Sequence, residues 1–501
     1  MGKKLPLKWL YFPSFVLIIF LIIKLIEKSQ IIFYFPFDRV NDLSSYMSNL
    51  FFLVKYGYHA IIPNWYNGLY MLFEFYPPAW YFFAYPLYMI LGKVETTVIV
   101  SMIITYALAF FIINLLGKKL NFSKIERLAI FAFIFANPLA IGNFVRLGRP
   151  HELLAWVFFT GLFLLVMIYR KKEIDMKFIL LSIFFYSMTL LSHEGVFIVA
   201  SFLFLPLLII KSNKERIKIM LIYLISAILT SFWWIPFLKG LATKSSILGA
   251  QSYLFAMRLV PPLMFKKLYL IENITSFAAA AFFLIIFYFY IRNSKNRKKE
   301  LVFFSIPLAL GILYFFRIFA YIPFLNKVYP DIYNMFFIIF GIFLLLKTDF
   351  RKYSKTIKRL LGYSLHLIPL IAIISFMLFL PGFVYHTQED KETMSLFSEV
   401  NGSLLISESA SLSQAYYSYG AIYYNISTPS GWSNPSVPSS HVEKVNNVLK
   451  LIKEKNCSFI ESAKEIKTEE IITYNEYCDF IDKCGLDKID KKEQACLYRI
   501  K

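Results

Sequence analysis

The first 456 residues contain no cysteine, and the four present are Cys457, Cys478, Cys484 and Cys496. None stands in a C-x-x-C pair, so a zinc site is disfavoured. Glycine is sparse, 19 in 501 residues, and no glycine-rich nucleotide loop occurs. There is no Ser/His/Asp arrangement of the kind used in nucleophilic catalysis. Acidic residues are few, 32 against 53 Lys and Arg, which leaves a net charge of +21. Such a surplus can mark a nucleic-acid binder. Here it accompanies 58% hydrophobic residues and 19% aromatics. Soluble domains are about 45–50% apolar. The composition is that of a membrane protein, in which Lys and Arg gather in cytoplasmic loops. No nucleic-acid partner is expected.

The start, Met1–Lys8, carries three lysines and precedes the apolar run Trp9–Ile26. No small-residue cleavage site follows, so this run reads as an uncleaved first helix with its N-terminus in the cytoplasm. Apolar runs long enough for a hydrocarbon core about 30 Å thick recur at 96–116, 127–143, 152–170, 177–192, 195–211, 217–238, 273–292, 300–316, 331–347 and 361–382. The basic loops around Lys118-Lys119, Arg170-Lys171-Lys172, Lys214-Glu215-Arg216, Arg297-Lys298-Lys299 and Arg351-Lys352 then share the side of the N-terminus. One outer loop, with Lys239, Lys244, Arg258, Lys266 and Lys267, departs from the rule. Pro77–Gly92 is apolar but short, and it reads as re-entrant or interfacial. The expectation is an α-helical polytopic membrane protein of about eleven transmembrane helices. Residues 1–382 form the membrane domain, with a large first outer loop at 27–95.

Residues 383–501 are polar and lack an apolar run of spanning length. An odd number of spans places them outside the cytoplasm, as a C-terminal extracytoplasmic mixed α/β domain. Ser403–Ser407 and Ala421–Ile426 are its candidate strands. Its four cysteines are expected to form two disulfides in an oxidising compartment. Their pairing stays open. Sequons begin at Asn273, Asn401, Asn425 and Asn456.

Polar groups in three outer loops are the candidates for chemistry. The first loop holds Asp38, Arg39 and Asp42. An amphipathic stretch follows, with Leu43, Tyr46, Met47, Leu50, Leu53 and Val54 on one helical face and Gly57 at its end. It should lie in the membrane interface. Asp42 is either a functional carboxylate or an N-cap. Asp38 can simply pair with Arg39. Tyr76 reads as an interface aromatic or a substrate contact. The second loop runs Asn143-Phe144-Val145-Arg146-Leu147-Gly148-Arg149-Pro150-His151-Glu152. Arg146 and Arg149 suit a phosphate, or else lipid headgroups. Glu152 suits a divalent cation, or else begins a helix. The third loop is Ser192-His193-Glu194-Gly195, either functional or a wet turn. Arg317 follows a span near the same face and is a further phosphate candidate.

The order of these features resembles the GT-C glycosyltransferases, polytopic enzymes that use lipid-phosphate-linked sugars at the outer face of a membrane. Asp42, the amphipathic stretch and Gly57 are similar to the first outer loop of oligosaccharyltransferase catalytic subunits. Pro138, Arg146, Gly148 and Glu152 resemble the family's second acidic motif, with Glu152 matching its final carboxylate. Tyr76-Pro77-Pro78 is similar to a Pro-Pro step of lipid-A aminoarabinose transferases and protein mannosyltransferases. The whole chain also resembles prokaryotic membrane proteins labelled 6-pyruvoyl-tetrahydropterin synthase-related, though nothing in it suggests pterin chemistry. There are departures. The second motif has one carboxylate, with His151 beside it. Ser430-Gly431-Trp432-Ser433-Asn434 stands in place of the oligosaccharyltransferase acceptor motif WWDYG. No arginine lies near Asp331-Ile332-Tyr333-Asn334, where related chains often have one.

The resemblance implies transfer of one sugar from a polyprenyl-phosphate donor in the cell membrane to a glycan, lipid or protein acceptor outside. Asp42, with Asp38 near it, would be catalytic. Asp42 would act as a base, or with Glu152 as a ligand of Mg2+ or Mn2+. Arg146, Arg149, His151, His193, Glu194, Arg317 and Tyr76 would contact substrate. Two rivals are a catalytically silent relative serving envelope assembly and a transporter or flippase of a lipid-linked substrate. A transporter would show polar groups at the membrane midplane and internal repeats. Here the polar groups gather at one face.

Overall fold

Uninterrupted apolar sequence forms helices in lipid because every backbone N–H and C=O must be satisfied within the segment. The computed structural model describes residues 8–34, 42–244, 270–323, 325–350, 353–379, 388–407, 414–431 and 437–500. Among these, six helices are long and apolar enough to cross a membrane: Lys8–Gln30, Val94–Lys119, Pro150–Tyr169, Glu272–Asn293, Pro330–Lys347 and Lys355–Leu378. Two bent pairs raise the number to eight if each is one span: Lys124–Phe135 with Pro138–Arg146, and Asn213–Leu229 with Ser231–Gly240. The apolar runs at 177–192, 195–211 and 300–316 fall on shorter helices. Pro77–Gly92 contains the helix Ala79–Leu91, whose 13 residues rise only about 20 Å.

Pro150–Tyr169 is the central helix, buried along its whole apolar window, whereas Lys355–Leu378 is only 22% buried. The central helix packs against Val94–Lys119 and Met176–Ser192, and Leu270–Asn293 packs against Pro330–Lys347. Large apolar side chains such as Phe15, Ile90 and Leu378 point outward, as expected of lipid-facing surface. Asn273 is buried, so its sequon is closed to a glycan.

The amphipathic stretch forms the helix Leu43–Tyr56, closed by Gly57. It does not lie with a polar face open to solvent. Ser44, Ser45, Ser48 and Asn49 on its polar side are as buried as Met47 and Leu50. Cover comes from both sides: the helix Gln414–Tyr423 and the helix Ala79–Leu91 pack on it, and Asn49 bonds to Tyr70 and Tyr81. The helix Gln414–Tyr423 also takes in Ala421–Tyr423, which the aromatic and β-branched run 421–426 suggested as strand. Tertiary packing overrides the strand propensity there.

The C-terminal part carries a mixed sheet of β3 (Leu404–Ile406), β4 (Glu470–Tyr474), β5 (Asp487–Lys492) and β6 (Ala495–Arg499), after a two-stranded hairpin of β1 (Ile61–Ile62) and β2 (Tyr70–Met71) in the first loop. The order is β3-β4-β6-β5, parallel between β3 and β4 and antiparallel elsewhere. Side chains alternate between the two faces of a strand. Leu405, Ile471, Cys496 and Tyr498 face a separate core formed with helices Ser439–Lys453 and Phe459–Glu465. Leu404, Ile406, Ile472 and Leu497 join the main core.

Main-chain bonds fasten this part to the first loop. Asn67 N donates to Thr428 O, Thr428 N to Asn64 O and Tyr66 N to Ser430 O. Asn67 Nδ2 reaches Ile466 O, and Ser403 Oγ reaches Asn67 Oδ1.

The disulfides are Cys457–Cys484 and Cys478–Cys496. They close spans of 27 and 18 residues around the smaller core. Each should stabilise the folded state by about 2–4 kcal/mol through the entropy removed from the unfolded chain. Reduction is therefore expected to make residues 457–496 protease-sensitive while the membrane helices stay intact, as limited digestion followed by mass spectrometry would read.

Candidate functional site

Three carboxylates converge because three helices begin at the same place. Asp42 precedes Leu43–Tyr56, Glu152 lies in the first turn of Pro150–Tyr169, and Asp331 lies in the first turn of Pro330–Lys347. Helix N-termini favour negative charge. Proline at the first position of the latter two helices suits a start, since its missing N–H has no helical partner there.

Arg149 stands among the three carboxylates. Its Nε is 2.8 Å from Asp42 Oδ2, a charge-assisted hydrogen bond. Its Nη1 is 3.6 Å from both Glu152 Oε2 and Asp331 Oδ2. The guanidinium also lies 5.7 Å from the centre of the Tyr329 ring. Asn143 Nδ2 and the Ile332 N–H donate to the two oxygens of Asp331. Trp156 Nε1 donates to Glu152 Oε1.

Exposure separates the roles. The Asp42 side chain is 29% exposed, Asp331 16% and Glu152 only 1%. Asp42 is open to a molecule entering the cluster, whereas Glu152 is sealed off. The Asp42 side chain makes no cap bond, so capping is not its role. Its main chain is held instead, with Asp42 N donating to Leu147 O at 3.0 Å.

That contact requires Gly148. Its φ is +68°, and a Cβ there would sit 2.5 Å from Leu43 Cβ. Gly148→Ala should cost about 1–3 kcal/mol through strain and overpacking. It should also part Asp42 from Arg149. A fall in melting temperature would show this; unchanged behaviour would remove the close approach from the argument.

A second group lies alongside. His151 stacks on His193 with ring centres 5.2 Å apart. Tyr46 Oη is 3.2 Å from His151 Nε2. His193 Nδ1 accepts from the Gly195 and Val196 N–H groups and caps the next helix, so its proton sits on Nε2. Tyr76 packs edge-on against Tyr46, with ring centres 6.5 Å apart, and its carbonyl receives Trp233 Nε1. Tyr76 thus borders the cluster.

The remaining candidates sit apart or differ. Glu194 is exposed in the first turn of its helix. The Arg146 carbonyl accepts a long bond, 3.4 Å, from the buried Lys28 Nζ. Arg317 is buried beside Phe277, its centre 3.9 Å from that ring, and donates to Asn273 O. Asp38 and Arg39 lie outside the described residues.

Asp331 was not among the candidates from sequence. The signal was present: a proline and an acid open a span on the same face, at Pro330-Asp331. Tyr46 and Asn143 were likewise hidden, one within an apolar stripe and the other among charged neighbours.

A divalent ion does not fit this arrangement. Among the described residues no three His, Cys, Asp or Glu side chains are placed to share a metal. Asp42 and Glu152, the expected ligands, both face the Arg149 guanidinium instead.

Helices of spanning length mark a polytopic membrane protein, and likeness to solved structures gives it the fold of GT-C glycosyltransferases. The arabinofuranosyltransferase AftD from Mycobacteria shares that fold, with TM-score 0.57 and 13% identity over 99% of this chain. A mutant of the same enzyme gives TM-score 0.51 and 12% identity over 99% of this chain. This chain spans 40% and 42% of those two chains, so about two fifths of their length. The oligosaccharyltransferase of Archaeoglobus fulgidus in its apo form aligns at TM-score 0.48 and 12% identity, over 91% of this chain and 69% of that one. No protein-family model matches the chain, and no curated protein matches it in sequence.

Proposed function

We propose that this protein transfers a sugar from a polyprenyl-phosphate donor to an acceptor hydroxyl outside the cytoplasm. In this reading residues 1–382 are the membrane domain, crossing about eleven times. Residues 383–501 form an extracytoplasmic domain that positions the acceptor. The observation that carries the reading is the partly exposed Asp42 held 2.8 Å from Arg149 at a meeting of helix ends. Asp42 takes the proton of the acceptor hydroxyl. The acceptor oxygen forms a bond to the anomeric carbon as the bond from that carbon to the phosphate oxygen breaks. The phosphate leaves with the bonding electrons, and its growing charge is met by guanidinium donors from Arg149 and Arg146. Direct displacement inverts the anomeric centre. His151, His193 and Tyr76 border the acceptor side, Glu194 lies at its exposed edge, and the buried Arg317 stands apart from it.

The test is transfer from radiolabelled polyprenyl-phosphate sugars by the purified full chain in lipid nanodiscs. Label appearing in an acceptor supports the reading. No transfer across a panel of donors, with binding of a lipid-linked sugar retained, would favour a silent relative or a carrier.

A further inference from the structure

We propose that Arg149 occupies the place a divalent cation would take in this site, so that the carboxylates Asp42, Glu152 and Asp331 are neutralised from within the chain. The inference rests on the glycosyltransferase reading for its meaning but not for its test.

Three acidic groups brought together need positive charge. A divalent ion would need several oxygen ligands at short range around a common centre. Here each carboxylate instead directs one oxygen to the same guanidinium, at 2.8, 3.6 and 3.6 Å. The planar fork has five N–H groups and stays charged at any physiological pH. The remaining negative charge meets the three helix N-termini on which these residues sit. Each end carries roughly half a positive charge. Neutral donors complete the set: Trp156 Nε1 on Glu152, and Asn143 Nδ2 with the Ile332 N–H on Asp331. Arg149 is itself fixed. It follows Gly148, whose left-handed turn lets the loop press on Leu43, and it lies beside the ring of Tyr329. A cation entering the cluster would have to displace a side chain held on several sides.

The test reads binding alone and needs no sugar donor. Mn2+ is titrated into the purified full chain, and the free ion is followed by its electron paramagnetic resonance signal. The wild-type protein should show no saturable site. Arg149→Met, which keeps an unbranched apolar stem but removes the guanidinium and its charge, should leave the carboxylates free to close on an ion and so gain one Mn2+ per chain. That site should vanish again in Arg149→Met combined with Asp42→Asn. A stoichiometric Mn2+ site in the wild type, lost on Asp42→Asn, would overturn the inference. So would a folded Arg149→Met that gains none. If the variant does not fold, the wild-type titration still decides. Failure of the transfer assay leaves this result standing, and the reverse also holds, so the two readings fail separately.

Discussion

Asp42→Asn should reduce sugar transfer by about 100- to 10,000-fold, the range for loss of a general base. Asparagine has nearly the shape of aspartate and can still offer Arg149 one oxygen. The helix Leu43–Tyr56 should stay in place, since the Asp42 N–H remains on Leu147 O and no side-chain cap bond is lost. The change therefore separates chemistry from folding more cleanly than alanine would. Its effect should fall on kcat, with the melting temperature held within a few degrees. Asp42 shares its oxygen Oδ2 with Arg149 at 2.8 Å. A donor phosphate reaching Arg149 competes for the same N–H groups, so donor binding and exposure of Asp42 are coupled. Donor affinity in Asp42→Asn should accordingly be no weaker than in the wild type. Activity within threefold of wild type, in roughly equal amounts of folded protein, would remove Asp42 from the mechanism.

What sequence could reveal followed the range of each signal. The longest apolar helices were legible because a hydrocarbon solvent imposes its rule along a single segment, while the number of spans was not. Gly57 and the apolar face of Leu43–Leu53 announced a helix for the same local reason. What that helix touches was not legible. Ser44, Ser45, Ser48 and Asn49 look like a wet face, yet all four are buried, with Asn49 bonded to Tyr70 and Tyr81 and the distant Gln414–Tyr423 packed on the helix. The charged loop around Arg149 stood out because four polar groups crowd a short stretch. Its third carboxylate did not, because Asp331 lies far along the chain and reads as an ordinary helix start. Disulfide formation could be expected from composition and compartment. The pairing of Cys478 with Cys496 depends on where β6 returns beside the helix Glu476–Lys483, and that of Cys457 with Cys484 on how the helix ends meet, which no local pattern encodes.

Arg149→Ala should cost about 3–5 kcal/mol of stability, the penalty for removing one partner of a buried ion pair. The size follows from which charge is stranded. Glu152 is only 1% exposed, and beyond Arg149 its described donor is the Trp156 N–H at 3.3 Å. Asp42 at 29% and Asp331 at 16% can each draw on water. Relief should therefore follow Glu152 more than the others: Glu152→Gln added to Arg149→Ala should restore most of the loss, and Asp331→Asn should restore less. Arg149→Lys should fall between wild type and alanine. An ammonium keeps the charge but cannot present the planar fork that reaches Asp42 through Nε and the other two carboxylates through Nη1. Thermal unfolding in detergent, followed by loss of the monodisperse species, would rank the variants. Strictly additive effects of the Arg149 and Glu152 changes would mean that the two side chains are not coupled. Arg149 would then be a surface cation beside the acids rather than the charge that allows them to sit together.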